Sequence, residues 1–256
     1  MPATMFVRCS ALALCLVATP AGAWDLDCRH AADREVSIDT AGADRIEVVG
    51  RAGDLDVRTA AGTTLVARGR ACASSVEYLA QTQLRAVREG RTVKVFVQVP
   101  EDMKGIGLLY ATLDLVVSVP AGPPVEVTDT SGDTTITGVN VTKLTDSSGD
   151  VVARGVTGNL EINDSSGDIR IEQAAGTVTI VDSSGDIVIR GAGNVVVRSD
   201  RSGDVDVAQV AGDVRIENDS SGDISIADVG RNVAVLADTS GSVHVSGVKG
   251  TVSVPQ

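Results

Sequence analysis

The chain has 256 residues, with 34 Asp plus Glu against 22 Lys plus Arg and a formal net charge of −12. So acidic a surface disfavours nucleic acid and anionic membranes as partners. Aromatic residues make up only 2%, and no Phe, Tyr or Trp occurs from Ala121 to Gln256, which removes from that half the stacking platforms on which carbohydrate clefts lean.

Residues 1–23 read as an export signal. Arg8 supplies the positive end, residues 11–18 the apolar stretch, and Ala21-Gly22-Ala23 the small-residue cleavage site. The cut is expected after Ala23, leaving Trp24 first. Leu14 stands just ahead of Cys15, where a lipid-acceptor cysteine would want Gly or Ala, so ordinary cleavage is favoured. Removing the signal lowers Lys plus Arg from 22 to 21 against 34 acids, net −13. The expected location is periplasmic or secreted. No later stretch approaches the ~18 apolar residues of a membrane span. Cys28 and Cys72 would then be the remaining cysteines. An even pair in an oxidising compartment is expected to form a disulfide, the alternative being two buried thiols.

Residues 24–120 are irregular but rich in strand signals, at 35–39, 45–49, 54–58, 64–67, 93–99 and 112–119. A short helix is expected near 74–82, with Ser74 or Ser75 as its cap and Glu77 in its first turn. Glu89-Gly90 reads as the turn of a hairpin from 84–88 into 92–99. A solenoid exposes an apolar end that needs covering, and this region is expected to be that cap, with strands that join the first coils. Pro120, Pro123 and Pro124 mark the passage into a regular region, 121–256. Pro255 stops strand pairing at the far end.

The regular region repeats one pentapeptide. It begins at Asp129 (DTSGD), Asp146, Asp164 and Asp182 (DSSGD), Asp200 (DRSGD), Asp219 (DSSGD) and Asp238 (DTSGS). The glycines Gly132, Gly149, Gly167, Gly185, Gly203, Gly222 and Gly241 are 17, 18, 18, 18, 19 and 19 residues apart. After each comes an alternating run such as Ile169-Arg170-Ile171, and half a repeat later a second such as Val178-Thr179-Ile180. A period of two in β-branched residues is a half-buried strand, and regular spacing at ~18 residues is one coil of a stack. The predicted fold is therefore all-β: a right-handed parallel β-solenoid, or β-helix, of two-strand coils with an irregular β-rich N-terminal cap containing one helix. Glycine supplies the corner conformation, and Asp and Ser side chains fold back onto corner N–H groups. Ile162 has one residue before Asp164 whereas Ile216 has two before Asp219, which reads as a bulge.

The export signal, Gly53-Asp54-Leu55-Asp56-Val57-Arg58, and the Val119-Pro120-Ala121-Gly122-Pro123-Pro124 lead-in to Ser-Gly-Asp repeats together resemble the bacterial adhesin-like β-strand-repeat proteins, described as candidate adhesins and otherwise of unknown function. The resemblance spans nearly all of the exported chain. It implies a β-solenoid in the cell envelope and carries no catalytic residues over.

Asp146, Asp164, Asp182, Asp200 and Asp219 are expected to stack as one ladder, and Asp133, Asp150, Asp168, Asp186, Asp204 and Asp223 as another. Carboxylates ~5 Å apart repel by roughly 1 kcal/mol in water, so corner N–H groups, hydroxyls, solvent or weakly bound Ca²⁺ must offset them. The nonapeptide of calcium-binding β-rolls is absent, and local satisfaction by the corner backbone is favoured; no obligatory cofactor is expected. His30 and His244 are the only histidines, too few to suggest a hydrolytic triad or, with Cys28 and Cys72, a zinc site of usual spacing. A polysaccharide-active site would have to use Tyr78, Phe96 or Tyr110. Outward Thr135 and Thr179 alternate with Arg170, Asp206, Arg215 and Ser225, so no flat ice-binding array forms. The expected function is an exported, non-enzymatic structural or interaction module with an envelope or extracellular protein or glycan as partner. The alternatives are a calcium-responsive module and a polysaccharide-active enzyme.

Overall fold

A computed structural model describes residues 28–255; the expected export signal lies outside the described residues. In chain order the elements are β1 (His30–Asp39), β2 (Arg45–Val49), β3 (Leu55–Ala60), β4 (Thr64–Ala73), α1 (Val76–Gln81), β5 (Gln83–Glu89), β6 (Thr92–Gln98) and β7 (Ala111–Pro120). They continue as β8 (Val125–Thr128), β9 (Thr134–Thr137), β10 (Val141–Thr145), β11 (Val151–Arg154), β12 (Leu160–Asn163), β13 (Ile169–Val181) and β14 (Ile187–Ser199). The last are β15 (Val205–Val210), β16 (Val214–Ile216), β17 (Ile224–Val229), β18 (Val233–Val235), β19 (Val243–Val248) and β20 (Val252–Ser253).

From β8 onward each strand pairs in parallel with the strand one repeat away. Ile169, Ile187, Val205, Ile224 and Val243 stand in one row. Val178, Val195, Val214, Val233 and Val252 form another. β13 and β14 run through the second corner and belong to both rows. Between the rows the inward side chains make one continuous Val, Ile, Leu and Ala core. Alternation of small β-branched and polar residues produces this because only one face of each strand is buried. The all-β solenoid is as expected.

The extra residue also appears as expected. Ile180 pairs with Val197 but Val181 with Ser199, so Arg198 is a bulge, and it keeps Asp200 in line with Asp182 of the coil before, whose N–H donates to the Ser199 carbonyl.

Coil order does not follow chain order at the N-terminal end. β2 pairs with both β6 and β8, and β3 with both β7 and β9. The β2–β3 coil is thus sandwiched between β6–β7 and β8–β9, and residues 120–124 carry the chain from the level below it to the level above. Beyond that coil the stack stops with antiparallel strands: β5 lies against β6, and β4 against β7 with β1 outside it. β1 and β4 reach farther than the expected segments, to His30 and Ala73. The outer half of β1 is charged and only partly buried, and the inward residues of the outer half of β4 are the small Gly69, Ala71 and Ala73, so hydrophobic alternation underestimates both.

α1 starts at Ser75, whose side chain accepts from the Tyr78 N–H, and has Glu77 in its first turn. Its C-terminal end is held by Arg34, which donates to the Leu79 and Thr82 carbonyls at 2.9 and 3.0 Å. Tyr78 packs with Ala73 and Ala111, and Cys28 is joined to Cys72 with Cα atoms 5.5 Å apart.

The corner glycines are required twice over. Their φ angles run from +115° to +136°, outside the range of L side chains. A Cβ on Gly185 would also lie 1.9 Å from the Gly167 carbonyl oxygen, and the same clash recurs up the stack. At the second corner the left-handed position is held by Gly138, Gly155, Gly191 and Gly247 and, at the other levels, by Gln173, Gln209 and Asp228, which hold φ near +60° without being glycine.

Gly185→Ala is accordingly expected to lower stability by about 2–4 kcal/mol in chemical denaturation. Gln173→Gly should raise it by up to about 1 kcal/mol, since relief of the left-handed conformation exceeds glycine's entropy cost.

Candidate functional site

The serine before glycine, the glycine and the second aspartate of each pentapeptide bond to a neighbouring coil, and the first aspartate bonds within its own corner. The serine before glycine donates its hydroxyl to a carbonyl of the coil before: Ser148 to Thr130, Ser166 to Ser147, Ser202 to Ser183, and Ser221 to Arg201. The glycine N–H donates to the coil after, as Gly167 does to the Ser184 carbonyl at 3.0 Å.

The two aspartates go to opposite environments. The second of each pair is exposed and forms an outer column. Asp133 Oδ1 accepts from the Asp150 N–H, Asp150 from Asp168, Asp168 from Asp186, Asp186 from Asp204, and Asp204 from Asp223, at 2.8–3.0 Å. The column continues to Ser242 at one end. At the other it runs through Asp54 to Asp114, following coil order rather than chain order. Each carboxylate satisfies a backbone donor that the sharp corner leaves without a ladder partner.

The first aspartate of each pair turns inward. Asp129, Asp146, Asp164, Asp182, Asp200 and Asp219 are each no more than 4% exposed. Asp146 accepts from the Ser147 and Ser148 N–H groups, Asp164 from Ser165, and Asp200 from Ser202. For Asp182 and Asp219 the following serine N–H groups lie close enough to favour charge but outside hydrogen-bond geometry. Buried oxygens without a hydrogen-bond partner recur at every level, one on Asp164 and both on Asp182 and Asp219. Burial, and after it the neighbouring carboxylates, pushes Asp129 and Asp200 up to about 7. The same causes push Asp146, Asp182 and Asp219 to about 6, and Asp164 is also raised.

The two ladders expected from the repeat are therefore not equivalent. Of the candidate ligands, Asp146, Asp164, Asp182, Asp200 and Asp219 line the buried column, and Asp168, Asp186, Asp204 and Asp223 the exposed one. Among the described residues no three His, Cys, Asp or Glu side chains converge as a metal would need. A third column escaped the repeat-based reading. Asn159 accepts from the Thr177 N–H, Asn194 from Asp213, Asp213 from Asn232, and Asn232 from Thr251. Its signal was Asn or Asp recurring at the coil period before the second strand.

The two tyrosines bond within the cap. The Tyr78 hydroxyl bonds Lys104 backbone groups at 2.7 Å, and the Tyr110 hydroxyl accepts from the Arg29 N–H at 3.1 Å. Phe96 lies beneath the Lys94 ammonium. His244 is exposed on β19. A groove of about 750 Å³ crosses β1, β4, β7, β3 and β9, with Arg68 and Arg70 on one side and Asp54, Asp114 and Asp133 of the outer column on the other.

A family model described as Toastrack DUF4097 matches residues 35–196. Among solved structures, a proposed adhesin from Bacteroides fragilis is 16% identical, with 88% of this chain and 97% of that one covered and a TM-score of 0.49. A proposed cell adhesion protein from Clostridium sporogenes is 10% identical, covering 85% and 99%, with a TM-score of 0.43. A proposed lipid-binding protein from Parabacteroides distasonis is 17% identical, covering 88% and 97%, with a TM-score of 0.45. No curated protein matches.

Since an Asn Oδ1 can still accept the next coil's N–H, Asp186→Asn is expected to be tolerated within about 0.5 kcal/mol. Asp186→Ala leaves the Asp204 N–H without its partner and should cost about 1 kcal/mol. Urea titration of the two variants separates these outcomes.

Proposed function

The chain belongs to the Toastrack DUF4097 family, and on that premise we propose that it is a non-enzymatic, adhesin-like interaction module exported to the cell envelope. The observation that carries this reading is the outer aspartate column. One oxygen of each carboxylate is fixed on the next corner N–H, so the negative charges stand as a stiff row at the coil spacing of ~4.8 Å. Such a row is a recognition surface whose geometry is set by backbone hydrogen bonds. Its partner is an external protein or glycan that brings cationic or hydroxyl groups at a matching repeat.

Of the aromatic groups on which a polysaccharide-active site would depend, Tyr78 and Tyr110 have their hydroxyls engaged by backbone groups of the cap, and Phe96 lies under the Lys94 ammonium. The outer column likewise has a structural task that needs no cation, so melting is expected to be the same in EDTA and in millimolar calcium. A rise in melting temperature with calcium, lost when Asp168, Asp186 and Asp204 become Asn, would reassign it as a cation-responsive module.

Export is tested by fractionating cells and sequencing the N-terminus of the protein, which should begin at Trp24 in the envelope or extracellular fraction. A cytoplasmic chain that keeps residues 1–23 would overturn the location. Binding to glycan arrays and immobilised envelope proteins should weaken with salt and be lost in the Asp150, Asp168, Asp186 and Asp204 to Asn variant. Release of reducing ends from a polysaccharide by the unaltered protein would overturn the non-enzymatic reading.

A further inference from the structure

The inner column is an electrostatic anomaly. Six carboxyls, none more than 4% exposed, follow one another at a spacing of ~4.8 Å along a parallel stack. The alignment is direct: Asp200 bridges to Asp219, and Asp219 to Asp238. No ion pair among the described residues includes an inner aspartate. The arginines that flank Asp200 in sequence are engaged elsewhere, Arg201 with the Ser183 hydroxyl and Arg198 with Glu161.

What faces the column deepens the conflict. Above and below each inner carboxyl is another, until Gly50 takes the position beneath Asp129 and Asp238 the one above Asp219. From the outer column come more negative charges: Asp54 toward Asp129, Asp133 toward Asp146, Asp150 toward Asp164, Asp168 toward Asp182, and Asp204 toward Asp219. The compensating groups are neutral donors, the corner serine N–H groups and the Thr134 hydroxyl. They satisfy one oxygen each on Asp129, Asp146, Asp164 and Asp200 and leave the other inner carboxyl oxygens buried without a partner. Stacked buried carboxylates with neither a counter-ion nor a full set of donors cannot all stay ionised.

We propose that the inner aspartate column is a proton-binding ladder: at neutral pH a fraction of its carboxyls is protonated and gives O–H donors to its partnerless oxygens, so that the solenoid gains stability by holding protons. Protonation removes repulsion from both neighbours at once, so protonated and ionised levels tend to alternate and the column titrates as a unit. The raised affinities of Asp129, Asp146, Asp182, Asp200 and Asp219 for protons agree with this arrangement. The sign follows from linkage. The folded chain binds more protons than the unfolded one between the ordinary carboxylate range and about pH 7, so stability falls as pH rises through that window. The device would stiffen the rod in a mildly acidic surrounding and loosen it in an alkaline one.

Self-repulsion of an acidic chain also weakens on acidification, so the test must separate the column from net charge. Melting is measured at pH 5.5 and 8.5 in 0.15 M and roughly 1 M salt, the latter cutting the screening length to ~3 Å. The unaltered chain is compared with an inner variant, Asp182→Asn with Asp200→Asn, and an outer variant of equal charge, Asp186→Asn with Asp204→Asn. The unaltered protein should lose roughly 5 °C or more between the two pH values at either salt. The inner variant should lose markedly less, and the outer variant should follow the unaltered protein. Infrared spectra of the unaltered protein should show a protonated-carboxyl C=O band at pH 7, and unfolding in unbuffered solution at pH 6 should release protons. Equal pH slopes in the inner and outer variants would overturn the proposal. So would absence of both the carboxyl band and proton release, which needs no variant to fold. A calcium-induced rise in melting temperature at pH 8.5 that the inner variant lacks would assign the column to a metal instead and overturn it equally.

Discussion

Parallel coils joined by main-chain hydrogen bonds place each residue directly over its counterpart one repeat away. Everything in the molecule is subject to that spacing, because a residue type that recurs must be able to lie against itself. Valine and isoleucine do so readily, and the core is built from them. Glycine does so uniquely where the Gly167 carbonyl leaves no space for a Cβ on Gly185. Serine and the outer aspartate turn the neighbour into a hydrogen-bond partner, one by donating to the coil before, the other by accepting from the coil after. The inner aspartate is the one residue for which self-stacking is unfavourable.

That conflict separates two carboxylates four residues apart on the same corner. The outer one is solvated, and its charge strengthens the hydrogen bond it accepts. The inner one lies where the corner backbone and the next coil exclude water, and its energetic problem is inherited at every level. Stacking therefore makes the outer row a charged display edge and the inner row a titrating one. Neither would arise from a single corner taken alone.

The ends of the stack are handled differently. At the N-terminal end the parallel order gives way to antiparallel β5, β4 and β1, with α1 and the disulfide fastening the margin. Antiparallel strands do not extend the coil register, so they end it. The mixed-charge groove lies at this end, where the twisted sheet carries Arg68 and Arg70 opposite the start of the outer column. The cap thus sets arginines directly opposite the aspartates of the outer column.

Much of this was legible before any coordinates. The ~18-residue period, the alternation within it, the corner glycines, the short helix capped at Ser74 or Ser75 and the bulge in the later coils are local or periodic properties, and they fix the solenoid because each repeat can bury its apolar face only on the next. The outer portions of β1 and β4 were not legible, since the inward positions there are His30, Ala32 and Arg34 in one strand and Gly69, Ala71 and Ala73 in the other, too polar or too small to read as hydrophobic alternation. Nor was the interleaving of β2–β3 between β6–β7 and β8–β9, because strand sequence states which face is apolar but not which strand it will lie beside. The pentapeptide likewise announced two aspartates and could not rank them. Only the closed corner decided that Asp182 faces inward and Asp186 outward, because burial is a property of the stacked coils, and the same side chain costs little in water and much between two of its own kind.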